Sequence, residues 1–71
     1  MKIYKFDDFI GKEIVLYPKD TYKKRAILLE VNEYGYLFEI TFAERCVGGY
    51  NVGEIIFINH SCKVELKLYN I

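Results

Sequence analysis

The sequence predicts an all-β fold: a five-stranded, strongly bent antiparallel sheet closing as a small barrel, with a short N-terminal helix. Three observations predict it. The stretch RAILLEVNEYGYLFEITF, Arg25 to Phe42, reads as two strands folded back across Asn32-Glu33-Tyr34-Gly35, with Tyr36, Phe38, Ile40 and Phe42 on one face and Gly35 as the pivot. The last segment, Cys62 to Tyr69, alternates: Cys62, Val64, Leu66 and Leu68 inward, Lys63, Glu65 and Lys67 outward. Short strands and tight turns fill the rest, without an internal repeat.

Length and composition bound what such a chain does. Its 71 residues, 1–71, make one domain, and a chain of that size buries roughly 60% of the surface it exposes when unfolded, so the core is thin. A 52% hydrophobic content with seven Tyr and five Phe excludes a disordered tail. No apolar run approaches the length of a membrane span. The opening MKIYKFDD places Lys5, Asp7 and Asp8 where a secretory signal would be apolar, so the expected location is cytoplasmic. Ten basic residues against ten acidic ones argue against a non-specific duplex-DNA coat, which depends on neutralising phosphates. Cys46 and Cys62 lack CxxC spacing and read as reduced thiols.

The elements follow in order. Ile3, Phe6, Phe9 and Ile10 recur at helical spacing around Asp7 and Asp8, and Gly11 ends that helix. Glu13 to Tyr17 is the first strand, closed by Pro18, which pushes Tyr17 to an extended conformation. Tyr22 to Val31 is the second, with Ile27, Leu29 and Val31 on one face and Ala26 and Leu28 on the other; both faces are expected to be covered, as in a bent barrel strand with small Ala26 at the bend. Tyr36 to Phe42 is the third strand and Gly53 to Ile58 the fourth, separated by a Gly48-Gly49 loop. Asn59-His60-Ser61 breaks the chain before the fifth.

Gly11-Lys12 through Leu37 resembles the first signature of the Sm-like family, which includes the Sm, Lsm and Hfq proteins. That signature is a Gly-Lys opening the first strand, a turn Asp, a small residue at the bend, then an Asp and an aromatic two residues on. Gly11, Lys12, Asp20, Ala26, Asn32 and Tyr34 hold those places. Gly53 to Val64 resembles the second signature, with Asn59-His60 where Hfq has a Lys-His pair. Thr21 stands at the family's turn glycine, Ala26 at its bend glycine, Asn32 at its Asp, Tyr36 at the base-reading Asn and Asn59 at the basic residue. The scaffold pattern is kept while the base-contacting chemistry is changed.

The resemblance implies a ligand pocket formed by Asn32, Tyr34, Tyr36, Asn59 and His60, in which an aromatic ring stacks on a base and amide or imidazole groups contact its edge. It also implies a ring-shaped homo-oligomer binding single-stranded RNA or a nucleotide. Lys19, Lys23, Lys24 and Arg25, offset by Asp20, form a basic cluster suited to backbone phosphates, or to a solvated strand edge. Cys46, His60 and Cys62 supply three zinc-type ligands and lack the fourth, so no metal and no cofactor is expected. No nucleophile, base and orienter stand at readable spacing, so the chain is expected not to be an enzyme. The alternative to an RNA-binding module is a protein-interaction module, an adaptor or inhibitor, that uses the barrel surface and binds no nucleic acid.

Overall fold

The computed structural model describes residues 4–44 and 49–69. A single 3-10 turn, Asp7–Phe9, precedes five strands: β1 (Glu13–Leu16), β2 (Lys24–Val31), β3 (Gly35–Ala43), β4 (Ile55–Asn59) and β5 (Leu66–Leu68). All pairings are antiparallel, in the order β4-β3-β2-β1-β5. The mainly β architecture is as expected, but the sheet is open: β4 and β5 form its two edges and do not pair with each other.

The N-terminal helix reduces to that one turn. Phe6 enters it in a left-handed conformation (φ 72°) with no side-chain cap. Gly11 leaves at φ +83°, and its N–H donates to the Leu28 carbonyl at 2.7 Å, which draws the chain straight into the sheet. Phe6 and Phe9 pack against the core while Ile10 stays exposed; Ile3 lies outside the described residues.

Two bulges correct the expected side-chain alternation. Arg25 pairs with Phe42 and Ala26 with Ile40, so Thr41 is the extra residue. A bulge reverses which face the following residues use. Tyr36, Phe38 and Ile40 are therefore buried as expected, whereas Phe42 stands on the outer face, 37% exposed. Leu28 pairs with Phe38 and Glu30 with Leu37, which makes Leu29 the second extra residue and leaves it exposed instead of covered. Val31 is thereby separated from Ile27 and returned to the core side.

The core consists of Ile14, Leu16, Ala26, Leu28, Tyr36, Phe38, Ile40 and Leu66, with Ile56 and Ile58 of β4 packed against it. Each fully buried large apolar side chain contributes about 1.5–3 kcal/mol, so with so few of them every core position is a large share of the total.

The chain departs from expectation at the Leu16–Leu66 end of the β1–β5 pairing. Tyr17, expected to be extended before Pro18, is left-handed (φ 50°). Its N–H donates to Glu65 O at 2.7 Å and its hydroxyl to Lys63 O at 3.0 Å, and these bonds hold it there. Asp20 N–H closes the following turn on Tyr17 O at 3.0 Å. Residues 63–65 are thus tied to Tyr17 and not run as a ladder, and β5 shortens to three residues. Cys62, expected inward, is exposed in the turn after β4, where its N–H reaches Asn59 O at 2.9 Å.

Candidate binding surfaces

The β2–β3 turn is built by Asn32. Its side-chain Oδ1 accepts from Tyr34 N–H at 2.8 Å and Gly35 N–H at 3.2 Å, and its Nδ2 donates to Glu30 Oε2 at 2.7 Å. An Asx turn of this kind is what a short amide side chain does well. Both polar ends of Asn32 are therefore engaged within the turn.

Gly35 is needed there for space and not for an unusual φ. A Cβ at this position would run into the Ile58 carbonyl and come within 2.8 Å of the Phe57 ring. That close approach lets Gly35 pair with Asn59 and Tyr36 with Ile58, so the end of β4 lies directly against the turn. His60 N–H then donates to Tyr34 O at 3.1 Å. The structure thus brings all five expected pocket residues, Asn32, Tyr34, Tyr36, Asn59 and His60, to one end of the sheet.

Their roles within that end differ. His60 Nε2 lies 2.7 Å from the Asn32 carbonyl oxygen. A carbonyl only accepts, so Nε2 carries the proton and, in the neutral ring, Nδ1 is left as an acceptor. The imidazole is stacked on Tyr4 (5.2 Å, 17°) and meets Tyr36 edge-on (4.9 Å, 74°). Tyr36 itself is only 5% exposed and belongs to the core. Burial, followed by the Asp7 carboxylate, pushes its phenol above the ordinary value. Asn59 is exposed, and its Oδ1 accepts from Ser61 N–H at 2.8 Å. Tyr34, at 65% exposure, is the ring of this group open to a ligand.

The basic cluster divides just as sharply. Lys24 points inward, 2% exposed, with Nζ 2.8 Å from Asp20 Oδ2 and 5.8 Å above the Tyr17 ring. Lys19 and Lys23 are exposed, and Lys23 Nζ reaches Pro18 O at 3.4 Å. Arg25 packs against two rings, its Cζ 4.6 Å from the Phe42 centroid and 4.3 Å from that of Tyr69.

Around Arg25 lies a groove of about 510 Å³ that the sequence reading missed, lined by Val15, Lys23, Arg25, Phe42, Lys67 and Tyr69, with Pro18 and Leu68 completing its walls. Lys67, Val15, Arg25 and Phe42 stand opposite one another in a single row across β5, β1, β2 and β3. Outward-facing Lys67 was legible from alternation. Phe42 was not, because the bulge at Thr41 carries it to this face.

Among the described residues, no group of three His, Cys, Asp or Glu side chains is placed to hold a metal; Cys46, the third thiol or imidazole ligand considered above, lies outside them. No helix among the described residues is long and apolar enough to cross a membrane. Comparison with protein-family models, curated proteins and solved structures finds no match.

Proposed function

We propose that this chain is a non-catalytic, Sm-like binding module for single-stranded RNA or a nucleotide, taking a base on the Tyr34 ring beside the Asn59-His60 turn. The observation that carries this reading is the pairing of the β4 end with the β2–β3 turn, which brings the exposed Tyr34 and the Asn59-His60 turn to the same end of the sheet, His60 N–H bonded to Tyr34 O. Stacking on an exposed ring is the sequence-tolerant part of single-strand recognition, and adjacent amide and imidazole groups supply the base-edge contacts. The same reading has copies of the chain joining edge to edge, β4 of one on β5 of the next, into a ring.

Fluorescence anisotropy with labelled uridine-rich and adenine-rich oligonucleotides tests it. Tyr34→Ala is expected to weaken binding by about 1–3 kcal/mol, the worth of one stacked base, with folding stability within about 0.5 kcal/mol of the parent. Absence of binding even at low salt retires the reading.

A specific observation favours a second reading, the protein-interaction module. The outer edge of β4 is open, and its outward side chains Ile55 and Phe57 are 53% and 49% exposed. An uncharged open edge is a template for another polypeptide strand. In this reading, substitution of Phe57 abolishes partner capture while substitution of Tyr34 leaves it intact.

A further inference from the structure

The groove around Arg25 is distinct from the Tyr34–His60 end: it lies at the opposite end of the β2–β3 hairpin, where Lys24 pairs with Ala43 and Arg25 with Phe42. From its shape and charge we propose that it is a phosphate-binding site for a nucleoside monophosphate group. The inference does not depend on Tyr34.

Three cationic side chains, Lys23, Arg25 and Lys67, converge on the groove. Glu13 is the carboxylate nearest Arg25, with Oε2 3.9 Å from the guanidinium NH1, beyond hydrogen-bonding distance. That carboxylate oxygen instead accepts from the Thr41 hydroxyl at 2.7 Å. A second carboxylate, Glu44, accepts from the Lys23 backbone N–H at 3.2 Å. Three cations against two carboxylates leave the groove net positive, the sign that attracts a phosphate monoester carrying about 1.5 to 2 negative charges near neutral pH.

The geometry of Arg25 adds direction to that charge. The guanidinium carbon lies 4.6 Å from the Phe42 ring centroid and 4.3 Å from that of Tyr69, contacts that favour the cation and hold it in the groove. A guanidinium carries its N–H donors as a planar fork, the chemistry that binds phosphate oxygens bidentately. Thr41 is the cause: as the extra residue of the bulge, it rotates Phe42 onto the outer face opposite Arg25.

Size and lining identify the rest of the ligand. A groove of about 510 Å³ exceeds what a bare phosphate fills and falls within the usual range for small organic ligands. Val15, Pro18 and Leu68 provide apolar wall for the organic body of such a ligand. A nucleoside phosphate has two sources, a free nucleotide or the 5′ end of an RNA strand, and the shared chemistry is the terminal phosphate beside a flat ring.

Titration of the full chain with uridine monophosphate, uridine and inorganic phosphate at low salt, followed by backbone amide NMR shifts, tests the assignment. Uridine monophosphate is expected to shift Val15, Arg25, Lys67 and Tyr69, uridine to leave them in place, and inorganic phosphate to shift them only at higher concentration. Lys67→Gln and Lys23→Gln, both at exposed positions that leave the core intact, are each expected to weaken nucleotide binding by about tenfold, the worth of one charge-assisted hydrogen bond. A 5′-phosphorylated hexauridylate that binds more tightly than its 5′-hydroxyl counterpart assigns the site to RNA ends, and equal affinities assign it to the free nucleotide. The proposal is overturned by unmoved groove amides at saturating nucleotide, by shifts confined to Tyr34 and Asn59, or by indifference to both lysine substitutions.

Discussion

Gly35 shows how much one hydrogen atom in place of a methyl group decides. Adding a Cβ pushes the Ile58 carbonyl away and separates β3 from β4 just where His60 is positioned. Gly35→Ala is expected to destabilise the fold by about 1–3 kcal/mol, the usual range for overpacking, measured as a lower urea midpoint, and to displace His60 amide resonances. Two phenols, of buried Tyr36 and half-buried Tyr17, make a second residue-scale prediction. Burial raises the pKa of Tyr17, with further contributions from Tyr50, Cys62, Asp20 and Glu65, and burial followed by Asp7 raises that of Tyr36. Each phenol holds its proton more tightly in the folded state than in the unfolded one. The resulting stabilisation is complete below the unfolded pKa of about 10 and is lost as pH rises from there through the folded value. Urea melts should weaken above about pH 10, and Tyr36→Phe should flatten that decline. At this scale the sequence was partly legible. Asn32, Tyr34 and His60 were identifiable as turn residues from their type and position. The capture of His60 by Tyr4, Tyr36 and the Asn32 carbonyl was not, because it joins residues 24 to 56 positions apart in the chain.

Strand existence and order along the chain were readable because alternation is a local property. Strand length and face were read less well, because bulges and edges depend on partners. Thr41 and Leu29 carry no chemical mark of the bulges they form; the register shifts arise from how β2 and β3 fit together. β5 shows the same limit, since residues 63–65 alternate as a strand would but are held by Tyr17. What survives there is the inward Leu66 and the outward Lys67. Leu66→Ala is expected to cost about 2–5 kcal/mol and Lys67→Ala less than about 0.5 in urea melts. Similar small effects from both would place β5 in a different register.

For the whole molecule, the outstanding property is that the two edges of the sheet are unlike. β4 is five residues long and carries exposed Ile55 and Phe57 without a charged residue or proline, whereas β5 is three residues long and carries Lys67. Natural sheets blunt open edges with charge, proline or short strands. By that rule β5 is guarded and β4 is not. Phe57→Lys is therefore expected to lower any self-association seen by sedimentation at micromolar concentration while leaving the thermal midpoint nearly unchanged, because the side chain is half exposed. A sedimentation profile indifferent to this change removes β4 from the assembly surface.

Unlike edges also set what growth does. A contact that joins β4 of one copy to β5 of another leaves the same pair of edges open at the two ends of every chain of subunits, so nothing in the contact itself counts copies. The number is fixed by angle alone: a rotation per subunit that divides a full turn, with no rise along the axis, seals the last edge onto the first, and any residual rise gives a filament. Small changes in sheet twist, of the kind the bulges at Leu29 and Thr41 introduce, would then change the number of copies or abolish closure without altering a single residue in the contact.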